Sequence, residues 1–531
     1  MTQLFDIGRS ALTTYQAALT TVSRNVANVN TPGYARQSVQ FGQRIGGGGV
    51  EVIQLSRAAD NSALQSARSA ISENAGAQAR ADALSRIDAR LSDDATGLAE
   101  PLRALTTAVS QLSARPTDPA AREALLRATD DFAAQVQSLD ANLRSEADQA
   151  TSQLGSLVRG AQNQLEELAL VQQRLEEAPV LDAAAATLAD QSDVLLEGLA
   201  ETLGVQSRVN ADGSLQIGLA NGQPLLEAGQ PARLGLGTNA LGELELTVGG
   251  VGQPRRIVGG EAGGLLQLLD EDIPAAQDAL GRIAAGVADV VNANQTAGAA
   301  LDGSPGQALF DSPQPRVRPA SDNAGAGTLT AQRVDLGAVP DTRFTLEFDG
   351  ANWSASGADG QALALAGTGA AGDPLRVGGL ELTLSGGAAA GDRFVVEPAV
   401  AGQIAARPLD ADALATAPAG SAANSGDNAQ IIALADALAG GLFDGGRSSL
   451  QQVTNTWVSA TGEAAAAAQS RADVTAAARD FAVDRRDAIQ GVNLDEEAAD
   501  LLRYEKAYQA AAQVLATAGS LFDSVLAAVR R

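Results

Sequence analysis

Residues 25–37 read "NVANVNTPGYARQ", and the way this stretch closes the run before it decides the fold. Phe5, Leu12, Leu19 and Val26 recur at seven-residue intervals, and Tyr15, Val22 and Val29 follow the later three by three residues. That spacing predicts a helix with one apolar seam. Pro32 disfavours helix at Thr31, and Gly33 permits a tight turn. The helix therefore stops at "NVNTPGY", and the chain turns away toward another domain.

A seamed helix has no core of its own and must pack on something. The far end of the chain offers a helix of the same kind. Leu494, Leu501, Tyr508, Leu515, Phe522 and Val529 form a second series of seven, flanked by Tyr504, Ala511, Ala518 and Val525. Such a helix runs roughly 35 residues, or about 50 Å. Asn493 is placed to cap it, with Glu496 three residues on. Asp495, Glu496 and Glu497 put negative charge in its first turn, as the helix dipole favours. On this reading the "DEE" run is a solvated capping segment and not a catalytic carboxylate cluster.

Between the ends the character changes several times. Residues from about 60 to 203 are rich in Ala, Leu, Gln and Glu with helical periodicity, and Asp118 followed by Pro119 marks one helix start. A short β segment follows at about 204–260, where Val205, Ser207 and Val209 alternate before a turn and Leu215, Ile217 and Leu219 alternate after it. Helical pattern returns at about 264–294 and again from 429 to about 486. The stretch from about 316 to 400, with "RFTLEFDGANWSASG" and "LRVGGLELTLSG", is rich in Gly, Thr and alternating apolar residues. The expected fold class is mainly α with an inserted all-β domain, a central helical bundle and long terminal helices. The domains are nested: residues 1–45 with 488–531 form an inner terminal unit, 46–311 with 403–487 a mainly helical one, and 312–402 the β insert.

Composition removes whole classes of function. Of 531 residues none is Cys and none is His, which excludes disulfides, Cys/His zinc sites and His-based triads. With 63 acidic against 37 basic residues the formal charge is −26, so the chain repels nucleic acid and anionic membranes. Lys506 is the one lysine and sits in "LLRYEKAYQ", which rules out a phosphate-binding P-loop. "GGGGV" at 46–50 fits no dinucleotide register and reads as a turn before the strand-like "VEVIQL". Acidic doublets such as Asp130-Asp131 and Glu166-Glu167 lie in helical segments, where they are ordinarily caps or solvated faces. No cofactor, metal or catalytic residue is expected. The first residues lack a secretory signal pattern, and no segment approaches the ~18 apolar residues of a membrane span.

"SRNVANVNTPGYARQ" resembles the N-terminal signature of the bacterial flagellar rod, hook and hook-associated axial proteins, carried here by Asn28, Thr31, Pro32, Gly33 and Tyr34. "GVNLDEEAADLLRYEKAYQAAAQVLATAGSLFDSVL" resembles the C-terminal signature of the hook-associated branch of that family, and "TDPAAREALL" and "ANGQPLL" are similar to its internal segments. Glu505 and Lys506 depart from the uncharged residues expected there. The resemblance implies that the two terminal helices pair as a coiled coil and that these pairs line a central channel in a ring or helical layer of subunits. The implied subunit interface is Phe5, Leu12, Tyr15, Leu19, Val22, Val26, Leu494, Leu501, Tyr504, Tyr508, Leu515, Phe522, Val525 and Val529.

The resemblance further implies a structural role at the hook–filament junction. The partners would be the hook protein, a second junction protein and a cytoplasmic export chaperone on about residues 494–529, with no nucleic acid and no membrane. Export would pass through the flagellar type III apparatus without a cleaved signal, to an extracellular place in the flagellum. The alternatives are a hook or distal rod protein, or a secreted enzyme or adhesin acting through the β insert. In the free monomer both ends are expected to be largely disordered, because helices without packing partners are marginal.

Overall fold

The computed structural model describes residues 2–44, 48–93, 96–178, 183–209, 215–254, 258–370 and 372–529, with only the backbone given for residues 2, 183, 209 and 526–529. Helix α1 (Thr2–Ala27) opens the chain and leads through the quoted turn into an antiparallel hairpin, β1 (Gln37–Gln43) and β2 (Val50–Arg57). A register shift opposite Gln40/Phe41 leaves Ile53 as an extra, unpaired residue that bulges β2. Helix α2 (Asn61–Leu91) begins on Asp60, whose carboxylate accepts from the amides of Ser62 and Ala63. Helix α3 (Ala99–Ala114) follows.

Helix α4 (Pro119–Glu177) starts where the sequence marks it: Asp118 accepts from the Ala120 amide and Pro119 occupies the first turn. It runs for 59 residues, about 90 Å at ~1.5 Å per residue. Its buried Leu125, Phe132, Val136, Leu139, Leu143, Leu154, Val158, Leu165 and Leu168 hold one face against the bundle. Helix α5 (Ala183–Leu203) packs beside it. Two small antiparallel sheets then occupy residues 206–231 and 234–252, although the "ADG" turn at 211–213 lies outside the described residues.

Helix α6 (Gly260–Gln267) continues through one π turn into α7 (Ile273–Thr296). Pro274 stands just after that turn and has no amide hydrogen to give to the ladder. The later helical region is divided by a short hairpin at 441–449, giving α8 (Ala429–Ala439) and α9 (Leu450–Gln490) before α10 (Leu494–Val529). Ser449 and Gln452 close a capping box at the start of α9. Helix α9 lies along α2, and α10 lies along α1.

The β-rich region between Arg316 and Glu397 forms two four-stranded antiparallel sheets. Phe344, Leu346, Leu375, Leu380, Leu382, Phe394 and Val396 make a core of their own there. Helices α2 to α9 and the small sheets share a second core, to which α1 and α10 contribute no residue. Ion pairs join the two bodies: Arg343 to the buried Asp278 at 2.9 Å and Arg333 to Asp289 at 2.6 Å. Among the described residues no helix is long and apolar enough to cross a membrane, and no group of three acidic residues is placed to hold a metal ion.

Candidate assembly interface

Helices α1 and α10 run antiparallel. The Phe5 ring meets the Phe522 ring edge-on at 6.2 Å, and at Gly8 an added Cβ would fall 3.0 Å from Leu515 Cδ1. At the opposite end Asn25 reaches Glu497. Small side chains fill the buried faces of the pair: Gly8, Ala18, Thr21 and Val22 on α1 and Ala511 and Ala518 on α10, while the buried Thr14 meets the hairpin. Small residues let the two backbones approach.

The larger seam residues flank these faces. Phe5, Leu12, Tyr15, Leu19, Leu501, Tyr504 and Leu515 are half-buried. Val26, Leu494, Tyr508, Phe522 and Val525 are exposed, as are Leu4, Ile7, Leu502, Val514 and Leu521 nearby. The side chain of Val529 lies outside the described residues. One chain therefore joins part of the seam by itself and leaves apolar side chains on its flanks.

The hairpin braces the pair on one side. Phe41 stacks edge-on against Tyr15 at 6.0 Å and against Tyr504 at 5.8 Å, and Thr14 Oγ1 donates to the Val50 carbonyl at 3.0 Å.

The signature turn closes the base. The Asn28 side-chain amide donates to the Arg24 carbonyl, Thr31 N–H to the Asn28 carbonyl and Thr31 Oγ1 to Asn28 Oδ1. Pro32 lies at the rim of a 520 Å³ cleft between the turn, α4 and α5. Gly33 is in the left-handed region at φ 75°, and a Cβ there would sit 2.3 Å from Val194 Cγ2. Both conformation and space demand glycine. Tyr34 O–H donates to Asn25 Oδ1 at 2.8 Å.

Beyond the turn there are two charged nodes, one tying the end of α1 to α10 and one tying the hairpin to α5 and α2. In the first, Asn25 Nδ2 donates to the Gln37 carbonyl at 2.8 Å and to Glu497 Oε2 at 2.9 Å, while Asn25 Oδ1 also accepts from Gln37 N–H. Arg36 Nε donates to Glu497 Oε1 at 2.7 Å and its Nη1 to Glu496 Oε2 at 2.8 Å, and its amide donates to the Gln490 carbonyl. Burial alone lowers the Arg36 pKa, but the hydrogen bond and charge of Glu497, with Glu496 and Asp500, outweigh it and raise the value. In the second node Arg57 Nε donates to Asp190 at 2.6 Å and Arg57 also pairs with Asp193, which pairs in turn with Arg68. Burial raises the Asp190 pKa against the opposing charge of Arg57.

This corrects the reading of "DEE" as a solvated cap. Asp495 N–H does donate to the capping Asn493 Oδ1, but Glu497 is 1% exposed and belongs to a buried lock. Asn25, Arg36, Arg57 and Asp190 were likewise absent from the expected site. The local signal for Glu497 is fully explained by the helix dipole, so nothing in the sequence demands a distant partner. The expected doublets behave as read: Asp130, Asp131, Glu166 and Glu167 are exposed on α4.

Comparison with known proteins adds the following. Residues 84–310 match the family model of the flagellar hook-associated protein FlgK helical domain, and 319–398 that of the flagellar hook-associated protein 1 D2-like domain. Residues 5–34 match the flagella basal body rod protein model, and 488–528 the C-terminal model of the flagellar basal body rod FlgEFG proteins. Flagellar hook-associated protein 1 of Salmonella typhimurium strain LT2 is 30% identical over 557 aligned positions, covering 99% of this chain and all of the relative. Its Escherichia coli K12 counterpart is 28% identical with the same coverage. The solved flagellar hook junction protein FlgK of Burkholderia pseudomallei superposes with a TM-score of 0.73 over 79% of this chain and 98% of that one, at 18% identity, a likeness of fold.

Proposed function

This chain belongs to the flagellar hook-associated protein 1 family, and from that membership we propose that it is a structural subunit of the bacterial flagellum, forming the junction between hook and filament. In this role it provides the platform on which the next junction protein and then the filament assemble. Its partners are other copies of itself, the hook protein and the second junction protein. It acts by assembly and not by catalysis.

The observation that carries this reading is the α1/α10 pair, closed at its base by Arg36 and Glu497 and still apolar on its flanks. Repeating such a flank-to-flank contact around an axis gives a ring or helical layer. Phe5, Leu12, Tyr15, Leu19, Val26, Leu494, Leu501, Tyr504, Tyr508, Leu515, Phe522 and Val525 form the subunit interface, with Val529 extending it, and the buried Val22 holds the pair together from within. Residues 1–45 and 488–531 act as the inner unit, 46–311 and 403–487 as the helical body, and 312–402 as a peripheral β insert. The subunit reaches the flagellum through the type III apparatus without signal cleavage, held beforehand by a chaperone on the α10 segment.

A strain lacking the gene is the test. It is expected to build hooks, lack filaments and release flagellin into the medium. Absence of hooks would favour a hook or rod protein instead, and normal filaments would end the proposal.

A further inference from the structure

The two most exposed large apolar side chains among the described residues lie in the helical body, away from the terminal pair: Phe481 at 73% and Val474 at 69%, both on α9. Seven residues apart, they share one helix face with the exposed Ala477 and Ala488. The opposite face, with Ala468, Ala472 and Thr475, is buried toward α2. We infer that the outer face of α9 seats on Leu170 of α4 and Val194 of α5 in the next copy of the chain, as a lateral contact within the junction layer. The inference rests on the assembly reading above and adds a contact between helical bodies to that of the terminal pairs.

Leu170 and Val194 are themselves exposed, at 56% and 47%. Helix α2 stands between α9 and α5, and α4 lies beyond α5. The two apolar patches therefore occupy different sides of one body. Gln172 donates to Ser192 at 2.8 Å, and Glu197 pairs with Arg486 at 2.7 Å. These links hold Leu170 and Val194 within about two helix turns of Phe481 along the body, a small step of the kind a helical layer takes up between neighbours.

A single exposed apolar side chain is ordinary. Two in register on one helix face, with a second apolar patch across the body, are what a heterologous contact needs. Each copy presents α9 to the next, and the contact repeats without closing on a dimer. Beside Val194 the 520 Å³ cleft rimmed by Pro32 leaves room for part of the Phe481 ring. Charge fits as well. Around Leu170 the exposed Glu166, Glu167, Glu176 and Glu177 make α4 acidic. Helix α9 offers the exposed Arg471 and Arg485, neither of which forms an ion pair among the described residues, whereas Asp480 and Asp487 are already paired with Arg479 and Arg486.

Two large side chains a side bury far less than the ~800 Å² per partner of a stable complex. The contact therefore holds only where the terminal pairs already bring copies together, and each contact raises the effective concentration for the other.

Benzoylphenylalanine in place of Phe481 reads the neighbour directly, at a position too exposed to disturb the fold. Irradiation of isolated flagella carrying hook and filament should join position 481 to residues 163–177 or 187–198 of a second copy, as located by mass spectrometry of the linked peptides. An adduct to α9 of a second copy, an adduct to a different protein, or none overturns the inference. Phe481→Glu should lower the fraction of hooks that carry filaments by about tenfold, with the thermal unfolding midpoint of the free subunit unchanged. Leu170→Arg in the same chain should recover part of that loss, because the new charges meet across copies. Equal loss with and without it, or no loss from Phe481→Glu, also overturns the pairing. Failure of the assembly reading shows elsewhere, as filaments formed with the gene absent. Filaments lost on deletion but untouched by Phe481→Glu would end this contact alone.

Discussion

Arg36 and Glu497 stand 461 residues apart in the chain and meet at 2.7 Å, with Glu497 1% exposed and Arg36 about a quarter exposed. They tie the exit of the first helix to the entry of the last. Breaking a buried charge pair from one side strands the other charge, at a cost of about 3–5 kcal/mol when both partners are buried. Arg36 retains water on one side, so Arg36→Ala should lose about 2–3 kcal/mol at this joint. Urea unfolding monitored by proteolytic release of α10 should show a loss confined to the terminal pair. An unchanged release midpoint would mean that the pair does not hold the base.

Leu515→Asp places a carboxylate beside Gly8, in the line where α1 and α10 touch. Burying that charge without a partner costs several kcal/mol in practice. Leu19→Asp, on the half-buried flank of α1, should act the same way at a smaller cost. Both variants should fail to incorporate into the junction. Circular dichroism should retain the signal of the helical body, because its core is a separate set of residues. Normal incorporation of either variant would count against the interface.

Much of this architecture is legible in the sequence because it is local. The seven-residue series announces both terminal helices, Pro32 and Gly33 announce the turn, and Asp118 with Pro119 announces α4. What stays hidden depends on distant partners. The series puts Ala511 and Ala518 beside the seam, yet nothing in the sequence shows that they, and not Leu501 or Phe522, are the buried ones. Glu497 satisfies the dipole rule for its own helix, so the sequence offers no reason to seek Arg36. Phe41, on β1 opposite the bulge at Ile53, links Tyr15 to Tyr504 through a fold-dependent approach that no periodicity records.

Gly33→Ala tests the turn. Left-handed backbone costs a non-glycine residue about 1–2 kcal/mol, and the new methyl would also collide with Val194. The single variant should lose about 2–3 kcal/mol at the joint between α1 and α5. Adding Val194→Ala should recover the collision and leave the backbone cost. Thermal unfolding of the single and double variants separates the two contributions, and a neutral single variant contradicts the geometry.

Tyr34 gives a pH signature. Burial, with the charge of Asp190 adding to it, pushes the phenol up from 10.0 to about 12. The folded state thus holds this proton more tightly than the unfolded one. Its contribution to stability is complete below pH 10 and is lost as pH rises through about 12. Of the four tyrosines, one should show a delayed rise in phenolate absorbance. Tyr34→Phe should remove that late step and cost about 1–3 kcal/mol, since Asn25 Oδ1 loses a buried donor.

Removal of residues 312–402 asks what the β insert contributes. The chain enters and leaves it side by side, because Phe310 pairs with Ala406 and Asp311 with Ala405 as short antiparallel strands. A brief glycine linker can therefore join the cut ends without moving α7 or α8. The insert's own core lies apart from that of the helices, so the body should keep its cooperative unfolding. The losses include three ion pairs, those of Asp278 with Arg343, Asp289 with Arg333 and Arg282 with Asp341. Asp278, buried beneath Arg343, has a raised pKa, mainly through that burial, and exposure on deletion should return it toward the ordinary carboxylate range. If the insert is peripheral, the shortened subunit should still support filaments, read by electron microscopy of the mutant cells. Cells with hooks but no filaments, despite a folded body, would instead make the insert part of the assembly surface.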